Sequence, residues 1–186
     1  MAIGESLADR GCKPLGFAAM SNLNPLAAAV LITWKRNAEY AVRLVADLAP
    51  ESFIAQPVPG RVMNHPAWVF NHLNLYAGIA VKLCRGDAFE DPAEHRHGQR
   101  SEPLPRLDGD PKVMVATWRA LHEDGARALE RVSVAQTNAE NPLARWRGMH
   151  PTVGDMLVTL MVKHESAHLG QLSAWRRAMG LARVAV

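Results

Sequence analysis

Three histidines stand where apolar side chains are expected. His164 and His168 are four residues apart, in a segment whose apolar residues (Val153, Met156, Leu157, Leu160, Met161, Leu172, Trp175, Met179) recur every three or four positions. Both rings therefore leave one helix face about one turn apart. His72 interrupts a second stripe, formed by Trp68, Val69, Leu75, Tyr76, Ile79 and Leu83. An imidazole facing a core is costly unless each nitrogen has a partner. A single core histidine is usually satisfied by a backbone carbonyl. An i, i+4 pair joined by a third ring from another stripe points instead to one divalent metal ion that takes a nitrogen from each.

The same stretch, His164-Glu165-Ser166-Ala167-His168, spells H-E-x-x-H, which in zincin peptidases supplies two zinc ligands and a general-base glutamate. The surroundings exclude that class. No Asp or Glu follows Glu165, and Gln171 and Ala174 stand where the metzincin pattern needs glycine and histidine. Glu165 stays a candidate general base beside the ligand face, against a bland reading as a supporting or solvated carboxylate. Asn37 falls on the inward stripe of the first helix and could bond a ligand or a metal-bound water, or be a satisfied buried amide. The other five histidines lie in connectors or off the stripes (His65, His95, His97, His122, His150) and are expected to be solvated or capping. Metal affinity is expected to weaken as pH falls through the free-imidazole range near ~6.5.

Four helices must position these groups. Asn24-Pro25, His65-Pro66, Asp110-Pro111 and His150-Pro151 each place a proline at the head of a long segment of helical period. Proline suits a first helical position, where its missing N–H would be unsatisfied anyway. The spacing predicts helices over about 25–49, 66–85, 111–132 and 151–179, with Thr152 and Asp155 as a capping-box variant and Gly180 as a stop. No segment alternates with period two. The expected fold is all-α, a four-helix bundle in one domain over 1–186, with 1–23 as an N-terminal extension. The connector 86–110 is long enough to cross the bundle, so the second and third helices could run parallel.

With 186 residues, 48% hydrophobic and 21% charged, the chain can bury a core of its own. The formal charge of +3 is spread over scattered arginines rather than a stripe, so no nucleic-acid partner is expected. The longest apolar run, Pro25 to Thr33, is about half a membrane span, so no membrane partner is expected either. Two cysteines and no signal-like leader fit a cytoplasmic protein.

The string His164-Glu165-Ser166-Ala167-His168-Leu169-Gly170-Gln171-Leu172 resembles the C-terminal H-x-x-x-H-x-G-Q signature of the DinB/YfiT-like metalloproteins. Trp68-Val69-Phe70-Asn71-His72-Leu73 resembles that family's first-histidine segment. The resemblance implies a four-helix bundle with an open zinc or nickel site on His72, His164 and His168, and often a homodimer. Gln171 matches a family position as a candidate cofactor-binding residue, without a role fixed by the match. Characterised relatives include metal-dependent thiol transferases and isomerases that use bacillithiol, mycothiol or glutathione. The expectation is a metal-dependent enzyme acting on a small molecule, by transfer of a low-molecular-weight thiol or by hydrolysis. The alternative is a metal-binding stress-response or binding module without catalysis. Three neutral ligands with an open position is the catalytic zinc pattern, able to lower the pKa of bound water towards ~7 or to hold a thiol as thiolate.

Overall fold

The computed structural model describes residues 23–185. The expected N-terminal extension lies outside the described residues except for residue 23. The helices are α1 (Pro25–Val45), α2 (Pro66–Arg85), α3 (Pro111–Leu129), the short α4 (Val134–Asn138), α5 (Val153–Val158) and α6 (Glu165–Ala178). A π-helical turn, Thr159–His164, joins α5 to α6 in one continuous run. Among the described residues no strand forms, and one isolated bridge pairs Glu140 with Thr152. The fold is all-α. No described helix is long and apolar enough to cross a membrane.

The helix starts follow the proline pattern. Asn24 Oδ1 accepts from the Leu26 N–H at 3.0 Å, His65 Nδ1 from Trp68 at 3.2 Å and Asp110 Oδ1 from Lys112 at 2.8 Å. At the fourth start Thr152 is the cap, closing a reciprocal box with Asp155, so Pro151 precedes the helix instead of opening it. Two ends come earlier than periodicity predicts. Pro50 holds Ala49 extended, which stops α1 at Val45 and opens a 3₁₀ turn at Pro50–Ile54. Ser133 captures the Gln136 N–H and starts α4, so α3 closes at Leu129.

Contacts give the helix directions. Along α2 and α3 the pairs Asn71/Asp108, Asn74/Met114, Gly78/Leu121 and Arg85/Asp124 ascend together, so the two helices run parallel and the connector 86–110 returns along the bundle. Between α2 and the last helical run the order reverses, with His72 against His164, Trp68 against His168 and Asn64 against Gln171. α1 is antiparallel to α3, since Trp34 Nε1 donates to the His122 carbonyl and Trp118 Nε1 to that of Ala38. Gly125 sets how close these two helices come, because a Cβ there would stand 2.7 Å from the Trp34 ring. One packed group holds Trp34, Tyr76, Met156 and Met161, and another holds Phe53, Trp68, Phe70, Trp118 and Trp175. Residue 72 lies on α2 between Trp68 of one group and Tyr76 of the other, and both rings pack against its imidazole.

Candidate metal centre

The structure brings His72, His164 and His168 together. One ring nitrogen of each lies within 4.8 Å of the others, and His72 Nε2 is 2.9 Å from His164 Nε2. Nothing acidic shares the cluster. Burial holds the imidazoles neutral: with the neighbouring rings it pushes His72 down to about 4 and His164 to about 3, and it lowers His168 below its ordinary value against the Gln171 hydrogen bond.

Two of the three rings are aimed from outside. His72 Nδ1 is 2.7 Å from the His97 carbonyl and donates to it, which turns a bare Nε2 lone pair to the centre. His168 Nδ1 is 2.9 Å from Gln171 Oε1, and that oxygen also accepts from Asn64 Nδ2 at 2.9 Å. His168 Nε2 is thereby bare as well. This is how proteins prepare imidazoles for metal, by occupying the far nitrogen with an oxygen acceptor. His164 Nδ1 has no partner among the described residues although it is buried. With two rings already presenting lone pairs, His164 Nε2 can donate only one hydrogen, to His72. A cation accepting all three Nε2 atoms fits this donor set.

Part of the aiming comes from the 86–110 connector. A 3₁₀ turn at Pro92–Glu94 is followed by the Gly98 N–H donating to the His95 carbonyl, and this tight fold presents the His97 carbonyl to α2. A Cβ at Gly98 would overlap the Pro92 carbonyl oxygen and stand 2.9 Å from that of His95, so the turn needs glycine. His97 itself is buried, with Nε2 3.0 Å from Asp108.

Glu165 and Asn37 are placed elsewhere. One residue past His164 the helix has turned about 100°, and the Glu165 side chain enters the interface with α1 and α3. It is 1% exposed, its Oε2 accepts from Asn37 Nδ2 at 3.1 Å, and its Oε1 is 3.1 Å from His122 Nε2. Neither Glu165 nor Asn37 lines the cavity above the three histidines. His122 is a second correction, since it was expected to be solvated and is 4% exposed. It lies between the rings of Trp34 and Trp118, at centroid distances of 3.9 and 3.7 Å, and its Nδ1 donates to the Trp118 carbonyl at 2.9 Å. The signal was present, for His122 is four residues from Trp118 and three from Gly125 on one stripe. His65 and His97 are buried too, His65 as the α2 cap.

A cavity of about 560 Å³ opens above the three imidazoles. Besides His72, His164 and His168 it is walled by Trp68, Tyr76, Trp146, Leu160, Arg100, Arg145 and His150, among others. Of these, Arg100, Arg145 and Trp146 carry no signal in the sequence because they come from connectors with no period to mark them. His150 Nδ1 is 3.2 Å from Thr159 Oγ1.

The profile of the DinB superfamily matches residues 33–172, about three quarters of the chain. The matched span includes all three clustered histidines and Gln171, which orients one of them. No curated protein matches the chain. On the family match, the chain belongs to the DinB superfamily.

Proposed function

We propose that the chain is a metal-dependent enzyme acting on a small molecule, with zinc or nickel held by His72, His164 and His168. The observation that carries this reading is the pair of aimed lone pairs, on His72 by the His97 carbonyl and on His168 by Gln171. When bound, such an ion supplies Lewis acidity towards a thiol or a water. The cavity favours catalysis over a purely structural metal, since a structural site would be closed around its ligands. Transfer of a low-molecular-weight thiol to an electrophile is the reaction we infer, with hydrolysis as the second of the same type. The thiol proton would pass to His150, the one histidine of the cavity wall outside the trio. Glu165, committed to Asn37 and His122, braces α6 against α1 and α3.

The test has two stages. Metal-stripped protein is titrated with zinc and with nickel, and stoichiometric binding is expected for at least one. The loaded protein is then assayed for consumption of glutathione, mycothiol or bacillithiol against 1-chloro-2,4-dinitrobenzene. Consumption that needs the metal, and that falls in His150→Gln while metal is retained, supports the reading. Absence of metal binding overturns it. Binding without turnover of any thiol or ester would return the chain to the non-catalytic alternative.

A further inference from the structure

The cavity above the three histidines carries positive charge and no negative charge. Among the described residues its wall includes Arg100 and Arg145 and no Asp or Glu. The two arginines differ in kind. Arg145 is held in place: Nε lies 2.7 and 2.9 Å from the Asp91 carboxylate oxygens, Nη2 donates to Asp91 at 2.7 Å, and Nη1 donates to Gln99 at 3.1 Å. Its guanidinium lies 4.5 Å over the Trp146 ring. These bonds occupy about three of the five N–H donors of a guanidinium, leaving the others for a ligand.

Arg100 has no ion-pair or hydrogen-bond partner among the described residues, and it is exposed. It is also the one described non-glycine residue in the left-handed region, at φ 70°. That conformation costs an L-residue on the order of 1 kcal/mol, and such positions concentrate at ligand-binding sites. It lies in the turn that follows the one offering the His97 carbonyl to His72, closed by the Ser101 N–H donating to the Gly98 carbonyl, so a single connector aims a histidine and puts a cation on the same cavity wall. The apolar part of the wall is aromatic: Trp68, whose Nε1 donates to Ser101 at 3.2 Å, together with Tyr76 and Trp146. Aromatic faces beside an unpaired guanidinium match a flat apolar body that ends in an anion.

We propose that this cavity binds a small organic carboxylate, its flat apolar body against Trp68 and Trp146 and its carboxylate held by Arg100 and the unused donors of Arg145. This deepens the reading of the three histidines as a small-molecule site and rests on it for the chemistry, though not for the binding. The cavity volume of about 560 Å³ accommodates a ligand of that size.

Phenylacetate and its neutral isostere phenylacetamide separate charge from shape. Both are titrated into the full chain, metal-stripped and metal-loaded, and followed by tryptophan fluorescence and calorimetry. Phenylacetate is expected to bind at least about tenfold more tightly than the amide in the stripped protein. Arg100→Gln should remove most of that preference and leave amide binding alone, while Arg100→Lys restores part of it. Equal affinity for acid and amide, an Arg100→Gln variant that keeps the preference, or no binding of either probe would overturn the proposal. A preference that appears only in the loaded protein would also overturn it, because the ion would then be the carboxylate's partner, and the metal site would stand. A preference that persists in a protein unable to bind zinc or nickel keeps the arginine subsite and removes the metal.

Discussion

Two groups of inward-facing histidine lie within one helical turn of each other along the last helix, and they are built on opposite rules. Around His122 every polar atom is spent: Nδ1 on the Trp118 carbonyl, Nε2 on Glu165, and both ring faces on tryptophans. Since Nδ1 carries a hydrogen, Nε2 can meet a carboxylate only if the pair holds one further proton, on the imidazole or on Glu165. Burial pushes the Glu165 carboxyl up, opposed by His122 and Asn37. Around His72, His164 and His168 the far nitrogens of two rings are spent and the near ones are not. Burial alone therefore does not mark a functional histidine. A bare nitrogen turned towards other bare nitrogens does.

The sharpest way to break this contrast is to remove one ring at a time. His72→Ala, His164→Ala and His168→Ala should each abolish stoichiometric metal, read by elemental analysis, while circular dichroism keeps its helical signal. Metal retained in all three would erase the distinction. The complementary change, Glu165→Ala, strands His122 in the core and should cost about 3–5 kcal/mol of folding stability in urea titrations. Its folded fraction should still bind metal. Glu165→Gln should cost less, because Asn37 and His122 keep a polar partner.

Between these extremes lie the groups that orient the three histidines. Gly98→Ala forces the Pro92 and His95 carbonyls apart and moves the oxygen that aims His72. It should weaken zinc affinity by about 10–100-fold in chelator competition, with helix content unchanged. The smallest effect concerns pH. His72 and His164 are held at about 4 and about 3, below the 6.5 of the unfolded chain, so the unfolded state takes up protons first on acidification. Stability of the metal-free protein is thus complete above pH ~6.5 and falls as pH drops below it, by up to ~1.4 kcal/mol per pH unit per group. His164→Ala should make the urea-midpoint profile between pH 6.5 and 4.5 shallower. The same depression places proton competition for the metal below the ~6.5 expected of a free imidazole.

Helix α2 was legible to the residue because proline, a capping side chain and the left-handed Gly86 mark both ends. The clustering of His72, His164 and His168 was legible because each replaces an apolar residue in a regular stripe. Glu165 was misplaced because adjacency in sequence says nothing about which of three neighbouring helices meets a side chain about 100° around the axis. The His97 carbonyl could not be foreseen, since a backbone oxygen leaves no mark in residue type. Arg100 and Arg145 sit in connectors whose paths depend on tertiary contacts. Gly98 was visible as a residue, but its tight turn was not.

The π-helical turn at Thr159–His164 gives the last helix two phases. Upstream, Met156 and Leu160 face the cavity while Leu157 and Met161 pack into the core. Downstream, His164 and His168 reach the cavity while Glu165 and Leu169 turn inward. A turn with i→i+5 bonds carries one residue more than an α-helical turn, and one residue is worth about 100° of rotation. In evolutionary terms the three-histidine cluster is separated from an inert helix by a single codon. Loss of one in-frame triplet within this turn would leave composition, length and helicity nearly untouched, yet swing both histidines off the cavity.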